Sequence, residues 1–110
     1  MKIIVVGAGK VGYSLCERLV QDDHDVYLID RSQERIHNLE NTLDVSLVCG
    51  NGSDIQLLNE IDLSDVGMFI SVTDSDEVNM LSCAVAKIAG VPSTVARVRA
   101  VSYTHLRAHE

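Results

Sequence analysis

Short, unbroken apolar runs alternate along this chain with stretches in which apolar residues recur every three to four positions. Lys2–Val6 (KIIVV) is β-branched and uninterrupted, the pattern of a strand buried on both faces. Over residues 11–21, Val11, Leu15, Leu19 and Val20 fall on one helical face. Residues 26–29 predict a second strand. Residues 32–42 predict a helix with Ile36, Leu39 and, just beyond, Leu43 on its apolar side, and residues 45–48 a third strand. Gly50-Asn51-Gly52 marks a turn, and Ser53-Asp54-Ile55-Gln56 has the form of a capping box opening a helix with Leu57, Leu58 and Ile61. Residues 68–72 predict a fourth strand. The acids of Asp74-Ser75-Asp76-Glu77 suit the start of the next helix, where the macrodipole favours negative charge. Gly90, two residues before Pro92, stops that helix, and residues 94–98 predict a fifth strand.

Strands alternating with helices imply parallel pairing through right-handed crossovers. The expected fold is therefore α/β, a Rossmann-like doubly wound parallel sheet of strand order 3-2-1-4-5. In such sheets ligands bind beyond the carboxyl ends of the strands, where the strand order reverses. That point lies beside the first strand, which runs directly into GAGKVG.

Composition narrows the function classes. The 110 residues are 46% hydrophobic and 23% charged, with few aromatics and a net charge of -7. A nucleic-acid surface, which needs a basic patch and often aromatic platforms, is disfavoured. No apolar run reaches the roughly 18 to 20 residues of a membrane span, and the start of the chain lacks a signal-peptide pattern. Cys16, Cys49 and Cys83 are odd in number and form no CxxC pair, which fits a reducing cytoplasm. An anionic ligand would have to be held by local dipoles and charges rather than by the field of the whole molecule.

GxGxxG alone is a weak signal, but here a strand precedes it and a helix follows, the context a dinucleotide needs. Gly7 permits the tight turn, Gly9 lets a pyrophosphate approach the backbone, and Gly12 lets the helix pack on the first strand. Ala8, Lys10 and Val11 complete the turn and the free N–H groups of the helix start, which suit phosphate oxygens. Lys10 either adds a charge or is simply solvated. Asp30 ends the second strand 18 residues after Gly12, where an acid accepts hydrogen bonds from ribose hydroxyls and disfavours a 2′-phosphate. Arg31 partly reopens that possibility. Asn51 and Gly52, with Cys49 and Gly50, either leave room for an adenine ring or form an ordinary turn. Thr73, Asp74 and Arg97 reach the same sheet edge by topology, and Asp74 is either a helix cap or a ligand contact. Cys49 reads as a small apolar filler rather than a reactive thiol. No catalytic constellation can be assembled, because His24 and His37 fall away from the cleft. His105 and His109 have too few neighbouring ligands for a metal site.

KIIVVGAGKVG, LIDR, CGNGSD, MFISVTDSDEVNM and ARVR together resemble the TrkA-N domain, the nucleotide-binding regulator of K⁺ conductance domain of bacterial potassium uptake systems. TDSDExNM is more specific than the glycine motif, and the likeness covers residues 1–99. The resemblance implies a regulatory domain and not an enzyme. Its ligand would be NAD(H) or ATP/ADP, its partners further copies of itself and a membrane-embedded K⁺ transporter, and its place the cytoplasmic face of the membrane. It also implies that residues 7–11 hold phosphates, Asp30 the ribose, and that Thr73, Asp74 and Arg97 contact ligand, Arg97 at a phosphate. AVSYTHLRAHE, residues 100–110, departs from the family's continuation, so residues 1–99 are expected to be the domain, truncated at its C-terminus. The alternative is the cofactor-binding half of an NAD-dependent dehydrogenase, which shares the glycine motif and the acid but not TDSDExNM.

Overall fold

The computed structural model describes residues 1–99; the segment that includes His105 and His109 lies outside the described residues. Five strands form one parallel sheet, β1 (Lys2–Val6), β2 (Asp25–Asp30), β3 (Ser46–Cys49), β4 (Val66–Ser71) and β5 (Ser93–Ala96), in the order β3-β2-β1-β4-β5. The expected topology is therefore the observed one. Helices α1 (Lys10–Gln21), α2 (Gln33–Leu39), α3 (Ile55–Ile61) and α4 (Asp76–Ile88) make the crossovers, with a single 3-10 turn at Leu63–Asp65 before β4.

The pleat sends alternate residues of β1 to opposite faces, and both faces are covered. Ile3 and Val5 pack with Val26, Leu28 and Ile70 beneath Leu15, Cys16 and Leu19 of α1 and Leu39 of α2. Ile4 and Val6 pack with Ile29 and Phe69 beneath Leu58 of α3 and Cys83 and Ala86 of α4. Ile3, Ile4, Val5 and Val6 are each at most 2% exposed, which is why this strand reads as a continuous apolar run instead of an alternating one.

Several boundaries differ from the sequence reading, each for a local reason. Helix α2 stops at Leu39, where the Glu40 and Thr42 N–H groups donate to the carbonyls three residues back, His37 and Leu39, and close turns instead of continuing the helix. The cap of α3 is Asp54, which accepts from the Gln56 N–H, and not Ser53. Ser53 instead gives both its N–H and its hydroxyl to Asn51 Oδ1, at 3.0 and 2.8 Å. Strand β4 starts two residues early and β5 ends at Ala96, so Arg97 lies just past the strand rather than on it.

Candidate functional site

The carboxyl end of β1 enters a turn whose geometry demands glycine. Gly7 has φ +113°, a region L side chains rarely adopt, and its N–H donates to the Ile29 carbonyl at 2.8 Å. Gly9 is the N-cap of α1. Ser32, Asp54 and Ser75 cap α2, α3 and α4 through their side chains, whereas among the described residues α1 has neither a side-chain cap nor an acid in its first turn. Its start therefore keeps its partial positive charge and its orphan N–H donors. A Cβ placed on Gly9 would find only Arg35 Nη1, 3.9 Å away, so the backbone there faces open space. Gly12 is different. It is buried against Gly7, and its absent Cβ lets α1 lie close on the turn. Lys10 and Val11 are exposed in the first turn of α1.

Asp30 joins this turn to the next loop. It is buried to 8% exposure, its Oδ1 accepts the Ala8 N–H at 2.8 Å, and its Oδ2 accepts the Ser32 N–H at 2.9 Å. The first partners of this acid are thus backbone donors on two loops, and the second lone pair of each oxygen is what remains for a ligand. Arg35, in the first turn of α2, brings Nη1 to 3.9 Å from Asp30 Oδ1.

A cleft of about 360 Å³ opens between these loops. Of the residues singled out in the sequence, Asp30, Arg31, Gly50, Gly52, Thr73 and Asp74 line it. Ser32, Arg35, Ser75 and Val78 line it as well, and sequence reading missed them. The wall does not include residues 7–12, Asn51 or Arg97. The glycine turn adjoins the wall through the Ala8–Asp30 bond and the Arg35 guanidinium over Gly9. Asn51 turns its amide oxygen to Ser53. Gly52 owes its identity partly to packing, since a Cβ there would come within 2.4 Å of Val6 Cγ1. Asp74 is not the helix cap, a role taken by Ser75, and its carbonyl accepts from Arg99 Nη2.

Asn79 holds the far wall. Its Oδ1 accepts from Ser71 Oγ (3.0 Å), the Thr73 N–H (2.9 Å) and Thr73 Oγ1 (2.7 Å). Its Nδ2 donates to the carbonyls of Thr73 (3.1 Å) and Arg97 (2.9 Å). The Arg97 N–H in turn donates to the Ser71 carbonyl at 3.0 Å. One fully buried amide thus ties the ends of β4 and β5 to α4, which gives TDSDEVNM a physical reason for its asparagine. Ser82 Oγ, 3.0 Å from Ser71 Oγ, extends the network, and among the described residues no buried side-chain N or O lacks a partner.

Among the described residues no cluster of His, Cys, Asp and Glu is arranged to hold a metal, and no helix is long and apolar enough to cross a membrane. His37 lies 3.6 Å from Glu40 on the outer side of α2. Cys49 is a correction: it is exposed at the end of β3, with its thiol 3.7 Å from the Arg31 carbonyl, and fills no part of the core. Cys16 is fully buried, which pushes its thiol up to about 11, and burial also raises Cys83. Thiolate is the reactive form, so iodoacetamide at pH 8 is expected to modify Cys49 of the native chain at least about a hundredfold faster than the other two. Peptide mass spectrometry over a time course checks this, and equal rates would contradict the burial of Cys16.

The architecture and the position of the cleft place this chain in the Rossmann-like doubly wound class, with its cleft at the point where the strand order reverses. Structural likeness agrees. The GsuK channel bound to NAD superimposes with a TM-score of 0.79 at 18% identity, covering 97% of this chain and 20% of the channel. The AMP-bound Kef C-terminal domain of Shewanella denitrificans superimposes at 0.76 and 16% identity, covering 99% and 67%. The sequence profile of the TrkA-N domain matches residues 3–108, and the chain belongs to that family. Among curated relatives, the Trk system potassium uptake protein TrkA of Halomonas elongata is 41% identical over 104 residues. That match takes in 94% of this chain but 23% of the relative, so the chain spans about a quarter of its length.

Proposed function

We propose that this domain binds NAD(H) or ATP/ADP as a regulatory ligand and controls a membrane-embedded K⁺ uptake transporter, without turning the nucleotide over. The observation that carries the reading is the uncapped start of α1, set on a glycine turn beside a cleft that contains a buried acid. Phosphate oxygens suit the N–H groups around Gly7, Ala8, Gly9, Lys10 and Val11, with Gly12 keeping the helix in place. Ribose hydroxyls suit the spare lone pairs of Asp30, and the adenine end suits the space beside Arg31, Asn51 and Gly52. Thr73 and Asp74 close the opposite wall, and Arg97 serves through its backbone in the Asn79 network as well as through its charge. The similar structures, the GsuK channel bound to NAD and the AMP-bound Kef C-terminal domain, support a nucleotide, and the name of the TrkA relative supports potassium uptake.

A regulatory ligand needs only differential affinity for two conformations, and the Ser32, Thr73 and Ser75 hydroxyls that line the cleft are engaged in helix caps and a turn. The domain, residues 1–99, would act within a longer protein that assembles with further copies at the inner face of the membrane.

Gly9→Val separates the possibilities. The fold should persist, since the position faces open space, while nucleotide binding by calorimetry should fall at least a hundredfold. The longer protein reconstituted with its transporter in vesicles should pass K⁺ at a rate that depends on nucleotide. Flux indifferent to every nucleotide, together with substrate-dependent NADH oxidation lost in Gly9→Val, would establish a dehydrogenase instead.

A further inference from the structure

We infer that Arg35 is the cationic arm that receives the phosphates of the bound nucleotide above Gly9, leaving Asp30 as it does so; this rests on the nucleotide reading above. A chain with a net charge of -7 cannot attract a polyphosphate through its overall field, so a local cation has to supply the attraction. The helix dipole contributes only about half a charge. The open side of Gly9 is where an approaching phosphate must stand, and the one atom within 4 Å of that side is Arg35 Nη1.

The arginine is anchored at its backbone and loose at its head. Its N–H donates to Ser32 Oγ, the cap of α2, and the Ser32 N–H donates to Asp30, so the stem of the arm is fixed by the same acid that fixes the glycine turn. The guanidinium itself is half exposed, and among the described residues its ionic partner is Asp30 Oδ1 at 3.9 Å. That oxygen already accepts the Ala8 N–H at 2.8 Å. A contact so long leaves the five guanidinium donors available, and a phosphate offers them shorter, paired hydrogen bonds in the planar fork that suits arginine. Exchange of partner would also free a lone pair of Asp30 for a ribose hydroxyl. Phosphate and ribose recognition are thereby linked through one side chain.

Other cations are placed differently. Arg99 is committed to Asp74, Lys10 is exposed on α1 outside the wall, and the Arg97 side chain is not part of the wall. Arg31 lines the cleft but does not come within 4 Å of the Gly9 opening.

The test compares the intact chain with Arg35→Gln and Arg35→Lys, titrated with ADP and with NADH by calorimetry from 50 to 500 mM NaCl. Arg35→Gln should weaken ADP binding at least tenfold at low salt, with the gap to the native chain narrowing to about threefold at the top of the range as salt screens the lost charge. Arg35→Lys, which keeps the charge but not the fork, should fall between. Unchanged ADP affinity in Arg35→Gln overturns the inference. So does a loss of equal size at every salt concentration, which would make Arg35 a support for Asp30 alone. Thermal melting confirms that the variants fold, as expected for an exposed helical position. A native chain that binds neither ADP nor NADH would overturn the nucleotide reading itself, whereas native binding with an indifferent Arg35→Gln overturns only the role given to Arg35.

Discussion

Gly12→Ala is expected to destabilise the chain by about 4 kcal/mol or more, enough to unfold it if its stability lies at the lower end of the usual range. Helix propensity alone predicts the reverse, since replacing glycine by alanine inside a helix gains about 1 kcal/mol. The packing decides the sign. A methyl group on Gly12 would lie 1.7 Å from the Gly7 carbonyl oxygen and 2.8 Å from its carbon. Those are backbone atoms, and Gly7 is held by its positive φ and by its bond to Ile29, so neither side can yield cheaply. Gly9→Ala is the matched control, because its methyl would meet only the end of a flexible arginine. Urea denaturation of both variants settles the point. A Gly12→Ala midpoint equal to that of the native chain would mean that α1 does not rest on the turn as described.

Asn79→Leu is expected to cost about 4 kcal/mol and to weaken nucleotide binding, although it exchanges one buried side chain for another of similar size. The substitution strands the Thr73 N–H and the carbonyls of Thr73 and Arg97, while the hydroxyls of Ser71 and Thr73 keep Ser82 and the Ser75 carbonyl as partners. Each buried group left unpaired costs about 1 to 3 kcal/mol, and the sum is reduced because residues 73–75 can move to reach water. That movement is what would harm the site, since Thr73, Asp74 and Ser75 line the cleft. Asn79→Asp is expected to be nearly as damaging, because it keeps the acceptor but turns a carboxylate oxygen towards two carbonyls. Denaturant midpoints and hydrogen exchange at Thr73 report the two effects separately. Native protection of Thr73 in Asn79→Leu would contradict the role of the amide.

The strands, their order and the glycine turn were legible because each depends on local pattern: β-branched runs, helical spacing and a glycine where the backbone requires one. Asp30 was legible as an acid at a strand end, but not as the bond between two loops, because its partners Ala8 and Ser32 are brought together only by the sheet. Arg35 went unnoticed for a related reason. Sequence spacing puts it on an ordinary helical turn, and only the packing of α2 on β2 and β3 brings it over Gly9. Asn79 belongs to a stretch that carried the family resemblance, yet its partner Arg97 lies 18 residues away and its function as a tie depends on tertiary contact. The shift of the α3 cap to Asp54 reflects competition between Asn51 and the helix for Ser53, which a four-residue motif cannot reveal.

The central position of β1 also sets the order in which the molecule can be completed. This strand is made before both of its neighbours, and its pairing with β2 begins at Lys2 opposite Asp25. Its other edge must wait for β4, where Ile3 faces Met68 and Val6 faces Ser71. Until β4 has been made, an uncharged Ile-Ile-Val-Val edge is open to any other extended segment. Such a segment is the kind that nucleates intermolecular strands. Folding of this chain is therefore a race between closure by β4 and capture of β1 by a neighbour, and production at low expression levels, which leaves fewer neighbours, will favour the native outcome.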